Sequence, residues 1–204
     1  LFEATANEWY ASYENVWGGS WPSDWAAQIA HQYIMQAREI IAAGGVPITP
    51  AVETWSLQYF GPMIRAILAE DPTVFRQSII GGHNRTLNHP PDYALDPGGY
   101  LGWEDMLSMA EQVAGEEMAY IATEAGPEPK WDMDTSRKAD GTLAYPPVSI
   151  EMHADWVRQI LAWPTPARYL FDCLWEWKGR GGFARASYIE NAEMMQGGDL
   201  PVVK

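Results

Sequence analysis

The stretch Met118-Ala119-Tyr120-Ile121-Ala122-Thr123-Glu124-Ala125-Gly126 decides how this chain is read. Residues 118–123 form a short apolar run that suits a strand. It ends in a carboxylate, a small residue and a glycine. An amphipathic helix precedes it, over about 103–116. Another follows, capped by Ser149 and carrying Ile150, Ala154, Val157 and Leu161 on one face. Spacings of three and four are the helical period, and serine is a favoured N-cap. Pro164 and Pro166 end that helix. The stretch is therefore a strand set between two helices, with its chemistry at the C-terminal end.

The same unit recurs on both sides. A run at 1–6 leads through a Gly/Trp/Pro loop to an N-cap at Ser23. The helix over about 24–43 places Trp25, Ile29, Tyr33, Ala37, Ile40 and Ile41 on one face, and Gly44-Gly45 stop it. The run 46–52 is strand-like, although Pro47 and Pro50 fit poorly in a fully paired strand. A shorter helix starts at Pro62, suited to a first helical position, and reaches about residue 70. A run at 75–80 leads into Gly81-Gly82 and a long loop to Tyr100. Beyond 118–123 lies the longest irregular stretch, 126–147. The last run, 167–174, is followed by Gly179, Gly181 and Gly182 and a helix over about 184–195.

Five strand–helix units in strict alternation predict an α/β fold, a parallel sheet with helical crossovers, as a single domain over 1–204. A closed barrel and an open doubly wound sheet share this pattern. In both, functional groups sit at the C-terminal ends of the strands. Here those ends carry Asn7-Glu8, Glu53, His83, Glu124 and the segment 175–177.

Composition narrows the partners. Thirteen Lys and Arg face 27 Asp and Glu, a net charge of −14, which repels phosphate backbones and anionic bilayers. Nucleic acid and membrane are therefore not expected as partners. The same charge fits a neutral or cationic ligand, or solubility in an extracellular or salty environment. The chain begins at Leu1 with no basic-then-apolar leader, so it is read as processed or as a fragment. The single cysteine, Cys173, excludes an internal disulfide and a cysteine-based zinc site.

Eleven Trp and ten Tyr exceed what a core of this size requires. Trp17, Trp21, Tyr93, Tyr100, Trp103, Trp131 and Tyr145 fall near loop-forming residues. They serve either as stacking platforms for sugar faces or as packing beneath long loops. His31, His83, His89 and His153 lack metal-ligand spacing. No Gly-x-Ser-x-Gly elbow or phosphate-cradling glycine loop is present. No metal and no cofactor are expected. Asn84-Arg85-Thr86 matches a glycosylation acceptor by coincidence, because a glycan there would block the proposed cleft.

Two carboxyl groups at strand ends suit one chemistry in particular. Cleavage of a glycosidic bond with retention needs a nucleophile and an acid/base about 5–5.5 Å apart. Glu8 and Glu124 are the candidates, three strand–helix steps apart. Asn7 can hydrogen-bond a sugar hydroxyl, and His83 can bond the nucleophile or a hydroxyl. Ala125-Gly126 lets substrate approach Glu124 closely. The 126–147 loop, with Trp131, Asp132, Asp134 and Tyr145, either shapes the cleft or is a surface insertion.

The segments Ala6-Asn7-Glu8-Trp9, Gly82-His83-Asn84, Tyr120 to Gly126 and Leu174-Trp175-Glu176-Trp177 resemble the clan A glycoside hydrolases, which include cellulase-like and xylosidase-like families. The resemblance implies a TIM-type (β/α)₈ barrel, of which this chain would hold strands four to eight, five of the eight units. It also implies roles. Glu8, in the Asn-Glu pair ending strand four, would be the acid/base. Glu124, ending strand seven, would be the nucleophile. Asn7, Trp9, His83, Trp175 and Trp177 would bind an oligo- or polysaccharide. Such an enzyme would act in an extracellular or periplasmic setting. The sequence departs from the clan at Trp9, where Pro is frequent, and at Arg85, where many members carry Tyr. The second departure leaves open which group orients the nucleophile. Five strands cannot close an eight-stranded barrel. A missing N-terminal segment or a second chain is expected to complete it, unless five units form an open sheet. A non-catalytic carbohydrate-binding protein on a degenerate barrel and an unrelated α/β structural protein are the alternatives.

Overall fold

The structure, a computed structural model, describes residues 2–3, 9–11, 17, 20–127, 134–145 and 147–174. It is a mixed α/β fold with parallel strands and connecting helices. In chain order the elements are β1 (Phe2–Glu3), α1 (Trp25–Ala42), β2 (Pro47–Ile48), α2 (Leu57–Glu70), α3 (Pro72–Arg76), β3 (Ile80–Leu87), α4 (Trp103–Ala114), β4 (Tyr120–Pro127), α5 (Ile150–Ala162) and β5 (Tyr169–Leu174). The expected helix at 184–195 lies outside the described residues.

Two compact units share the chain. The first comprises Leu1–His83, Trp103–Thr123 and Thr165–Phe171, and the second comprises Asn84–Gly102, Glu124–Pro164 and Asp172–Lys204. The chain passes from one to the other within β3, β4 and β5.

In the first unit the strands stand side by side in the order of the sequence. β1 pairs with β2 in parallel, Phe2 opposite Pro47 and Glu3 opposite Ile48. A parallel bridge joins Ile48 to Ile79, with Thr49 N–H donating to the Ile79 carbonyl at 2.9 Å. Ile80 N–H donates to the Ala119 carbonyl at 2.8 Å, and Tyr120 N–H to the Arg168 carbonyl at 2.9 Å. The order β3-β4-β5 continues that of β1-β2. The apolar core follows from this register. Ile48, Ile79 and Ile121 form one cluster, joined by Ala119. Trp103, Tyr120 and Tyr169 form an aromatic group nearby, with centroids 4.6–6.2 Å apart.

Helices α1, α2 and α4 cover the first unit, α1 on α2 and α2 on α4. The period of α1 works as read: Ile29, Tyr33 and Ala37 are buried, with Ala30 and Ile34 beside them. Its cap is corrected from Ser23 to Asp24, which makes no side-chain cap bond and instead accepts from the Gln28 amide at 3.0 Å. The start of α2 is also corrected. Pro62 lies inside the helix, not at its first position. It has no N–H to return to the carbonyl four residues back, but Phe60, Met63, Ile64 and Ile67 bury a continuous stripe that outweighs the lost bond.

The third strand moves most. The run 75–80 was expected to be the strand, yet Asp71 caps a short helix at Pro72–Arg76 and the strand begins at Ile80. Asp71 accepts from the backbone N–H of Thr73 and Val74 at 3.0 and 3.1 Å, and its carboxylate also takes two bonds from Arg38. Gly81 and Gly82, expected as loop, lie in the strand because neighbours press on them. A Cβ at Gly81 would stand 2.7 Å from the Thr49 carbonyl, and one at Gly82 would strike the Tyr120 hydroxyl.

In the second unit α5 is capped as expected, Ser149 Oγ accepting from Met152 N–H at 3.2 Å. Part of the irregular 126–147 stretch is ordered as a small hairpin. Arg137 and Leu143 bridge antiparallel, and Asp140 closes the turn by accepting from Thr142 N–H at 2.9 Å. No described helix is long and apolar enough to cross a membrane.

Candidate active site

β3 and β4 carry the two described residues to which the sequence assigned chemistry. Neither stands at the end of its strand, as was expected. His83 is the fourth residue of Ile80–Leu87, and Glu124 is the fifth of Tyr120–Pro127. β3 outruns its apolar segment because the polar residues beyond it are themselves buried, and β4 continues through half-buried Thr123 and Glu124 to buried Ala125–Pro127. Seven of the eight β3 residues are buried, including His83, Asn84, Arg85 and Thr86.

In the first unit, His83 sits in a short parallel ladder against Glu53. Its N–H donates to the Val52 carbonyl at 2.9 Å, and its carbonyl accepts from Thr54 N–H at 3.2 Å. That geometry makes Glu53 and His83 direct partners. Both are buried, at 6% and 0% exposure. The Glu53 N–H donates to the Tyr10 hydroxyl at 3.0 Å, and the Tyr10 ring stacks on Tyr59 at 4.9 Å. The backbone bridge thus brings a buried carboxyl residue and a buried imidazole residue into register on adjacent chain segments. Sequence reading placed Glu53 at a strand end but gave it no role. Its pairing with His83 depends on the register of two distant runs, which no local motif announces.

Trp9, expected to bind substrate, is fully buried. Tyr10, Trp17, Trp21, Trp25 and Tyr59 surround it, with centroids 4.7–6.0 Å away. It presents no face for stacking a sugar and acts as the centre of an aromatic core. Trp17 and Trp21 belong to the same cluster, so these loop aromatics take the packing option.

In the second unit, Arg85 approaches Glu124. Its guanidinium Nη1 lies 3.7 Å from Glu124 Oε2, with side chains 6% and 14% exposed. This is an ion pair and not a close hydrogen bond. Arg85, at the position where many members of the clan carry Tyr, thus stands beside Glu124 as the partner that the sequence left open. Gly126 follows two residues later at φ +103°, a conformation that side chains rarely adopt. This accounts for the glycine of the Glu124-Ala125-Gly126 motif.

Nearby in the same unit, His153 is buried on α5. Burial pushes it down to about 4, so its ring is neutral. His89 lies between two carboxylates, Asp96 at 2.9 Å and Asp134 at 3.0 Å. The Ser136 hydroxyl and N–H, more than His89, hold Asp134 below its ordinary range. Among the described residues no group of three or more His, Cys, Asp or Glu is arranged to hold a metal ion.

Asn7, Glu8, Trp175 and Trp177 lie outside the described residues. Comparison with family models, curated proteins and solved structures finds no match for this chain.

Proposed function

We propose that this chain is the nucleophile-bearing part of a retaining β-glycoside hydrolase. The observation that carries the reading is the Glu124–Arg85 pair, an ion pair almost withdrawn from water on a parallel strand. Taking two charges out of water costs several kcal/mol per ion, so a pair kept at low exposure is a candidate for function. A nucleophilic carboxylate is such a function, because it must stay ionised while it faces substrate.

The strand order gives independent support. A doubly wound sheet reverses its order at a switch point, whereas barrel staves follow the sequence. The strands of the first unit run in sequence order. The finer fold in this proposal is therefore a TIM-type barrel, with β1 to β5 as staves four to eight. Closing it requires further staves, from a preceding segment or a second chain.

In the proposed reaction Glu124 attacks the anomeric carbon. Glu8, protonated, gives its proton to the leaving glycosidic oxygen. The product is a glycosyl ester on Glu124 and a free alcohol. Glu8 then takes a proton from water, whose oxygen displaces the ester with a second inversion. Arg85 orients Glu124 before attack and stands beside the carboxylate charge that returns to Glu124 when the ester is hydrolysed. The substrate class is an oligo- or polysaccharide, for which Asn7, Trp175 and Trp177 remain the proposed contacts.

The test is hydrolysis of a panel of aryl β-glycosides by the parent and by Glu124→Gln. Retention of anomeric configuration, with a loss on the order of 10⁴-fold in the variant, is expected. An active Glu124→Gln would contradict the assignment. Glycan binding without hydrolysis by the parent would point instead to a carbohydrate-binding protein.

A further inference from the structure

The second unit holds a cavity of about 320 Å³ that the proposed reaction does not use. Pro90 and Leu95 line one side, Ala144 and Tyr145 another, and Met152 and Trp156 on α5 a third. The lining is apolar or aromatic apart from one amide. We propose that this cavity is a binding site for a single aromatic ring, uncharged or positively charged, carrying a short substituent. Three observations lead there.

The first is size. Ligand pockets begin at about 300 Å³, and an apolar cavity of about half this volume already accepts benzene in another protein. One ring with a short arm fits, whereas a sugar chain would find little to hydrogen-bond.

The second is that the walls are set before any ligand arrives. The Tyr145 ring stacks on His89 at 3.7 Å with planes 25° apart. His89 is held by Asp96 and Asp134 through its two ring nitrogens. The Asn88 amide donates to the carbonyls of Tyr145 and Asp134 at 3.1 and 3.2 Å, and its oxygen accepts from Asp134 N–H at 2.8 Å. The opposite wall is the capped helix α5. A rigid apolar cleft loses little entropy on binding, and water inside it lacks hydrogen-bond partners. Leu95 is 61% exposed at the rim, so apolar surface remains to be covered.

The third is charge. Asp96 and Asp134 stand behind the Tyr145 wall, against the one imidazole of His89. The chain as a whole carries −14. A carboxylate on the ligand would be repelled, and an ammonium would be attracted and could lie over an aromatic face.

The experiment is saturation-transfer NMR titration with benzyl alcohol, benzylamine and benzoate, at matched ionic strength. Benzyl alcohol and benzylamine should bind saturably, with Kd on the order of 1 mM for so small a ligand. Benzoate should bind at least about tenfold more weakly. Ala144→Phe, which fills the cavity, should abolish binding. Leu95→Ala, at an exposed position that folding does not need, should weaken it about threefold or more. No saturable binding would overturn the proposal. So would benzoate binding as tightly as benzylamine, or binding unchanged in both variants. None of these outcomes depends on the glycosidase reading.

Discussion

In the second unit Arg85 and Glu124 pair at low exposure, and His153 is buried on α5. Replacing Arg85 with Met removes the guanidinium and leaves a mostly buried carboxylate in its place. Breaking such a pair costs about 3–5 kcal/mol, so denaturant unfolding should show Arg85→Met destabilised on that scale. Arg85→Lys, which restores a charge but not the planar fork, should recover part of it. Arg85→Met should also lower kcat/KM for aryl β-glycosides, because the nucleophile loses the cation beside it. An unchanged kcat/KM would remove Arg85 from the mechanism and leave Glu124 in it. His153 predicts a separate acid sensitivity. Its folded value, about 4, lies below the ordinary 6.5. Its contribution is therefore complete above about pH 6.5 and is lost as pH falls toward 4. The loss approaches about 3 kcal/mol. The unfolding free energy of the parent minus that of His153→Met, from urea titrations, should fall by that amount between pH 7 and pH 4. Parallel curves would contradict it.

Elements were legible where periodicity or chemistry was local. The buried face of α1, the Ser149 cap and the extent of α4 followed from spacing and side-chain type. The errors fell at boundaries that tertiary contact sets. The run 75–80 looked like a strand because Phe75, Ile79 and Ile80 are apolar, but Asp71 and Pro72 start a helix first. Replacing Asp71 with Ala removes both the cap and the Arg38 pair. It should cost about 1–2 kcal/mol, measured by chemical unfolding. Because its carboxyl is held low, first by Arg38, that stability should also fade as pH drops below the ordinary carboxylate range. β3 continues through Gly81-Gly82 because neighbouring segments, at Thr49 and Tyr120, leave no room for a side chain. No sequence motif distinguishes this from a glycine loop. Gly81→Ala should cost about 1–3 kcal/mol, since a backbone carbonyl stands in the way. A neutral effect on the unfolding midpoint would mean the strands can separate at that point.

At the scale of the molecule, strict strand–helix alternation carried the α/β class and the parallel pairing. It did not carry the strand order, which came from backbone bonds between runs some 30–50 residues apart in the chain, such as Ile48 with Ile79 and Ala119 with Ile80. The sequence also failed to sort the aromatics. Trp17 and Trp21 look like loop rings in sequence and Trp9 like a substrate contact, and only their convergence with Trp25 makes them core. Trp9→Ala should therefore cost about 3–5 kcal/mol in stability and broaden the unfolding of the first unit. A weakened substrate affinity with unchanged stability would return Trp9 to the binding surface. Glu53 with His83, and Arg85 with Glu124, could be anticipated as residues but not as pairs.

The measurement that bears most directly on the proposed function is covalent trapping. The protein is incubated with 2,4-dinitrophenyl 2-deoxy-2-fluoro-β-glycosides of several sugars, and the adduct is mapped by peptide mass spectrometry. The account predicts a burst of dinitrophenolate with at least one of them and a glycosyl ester on Glu124, absent in Glu124→Gln. Hydrolysis of the parent aryl glycosides with no ester formed, or with an ester on another residue, would contradict it.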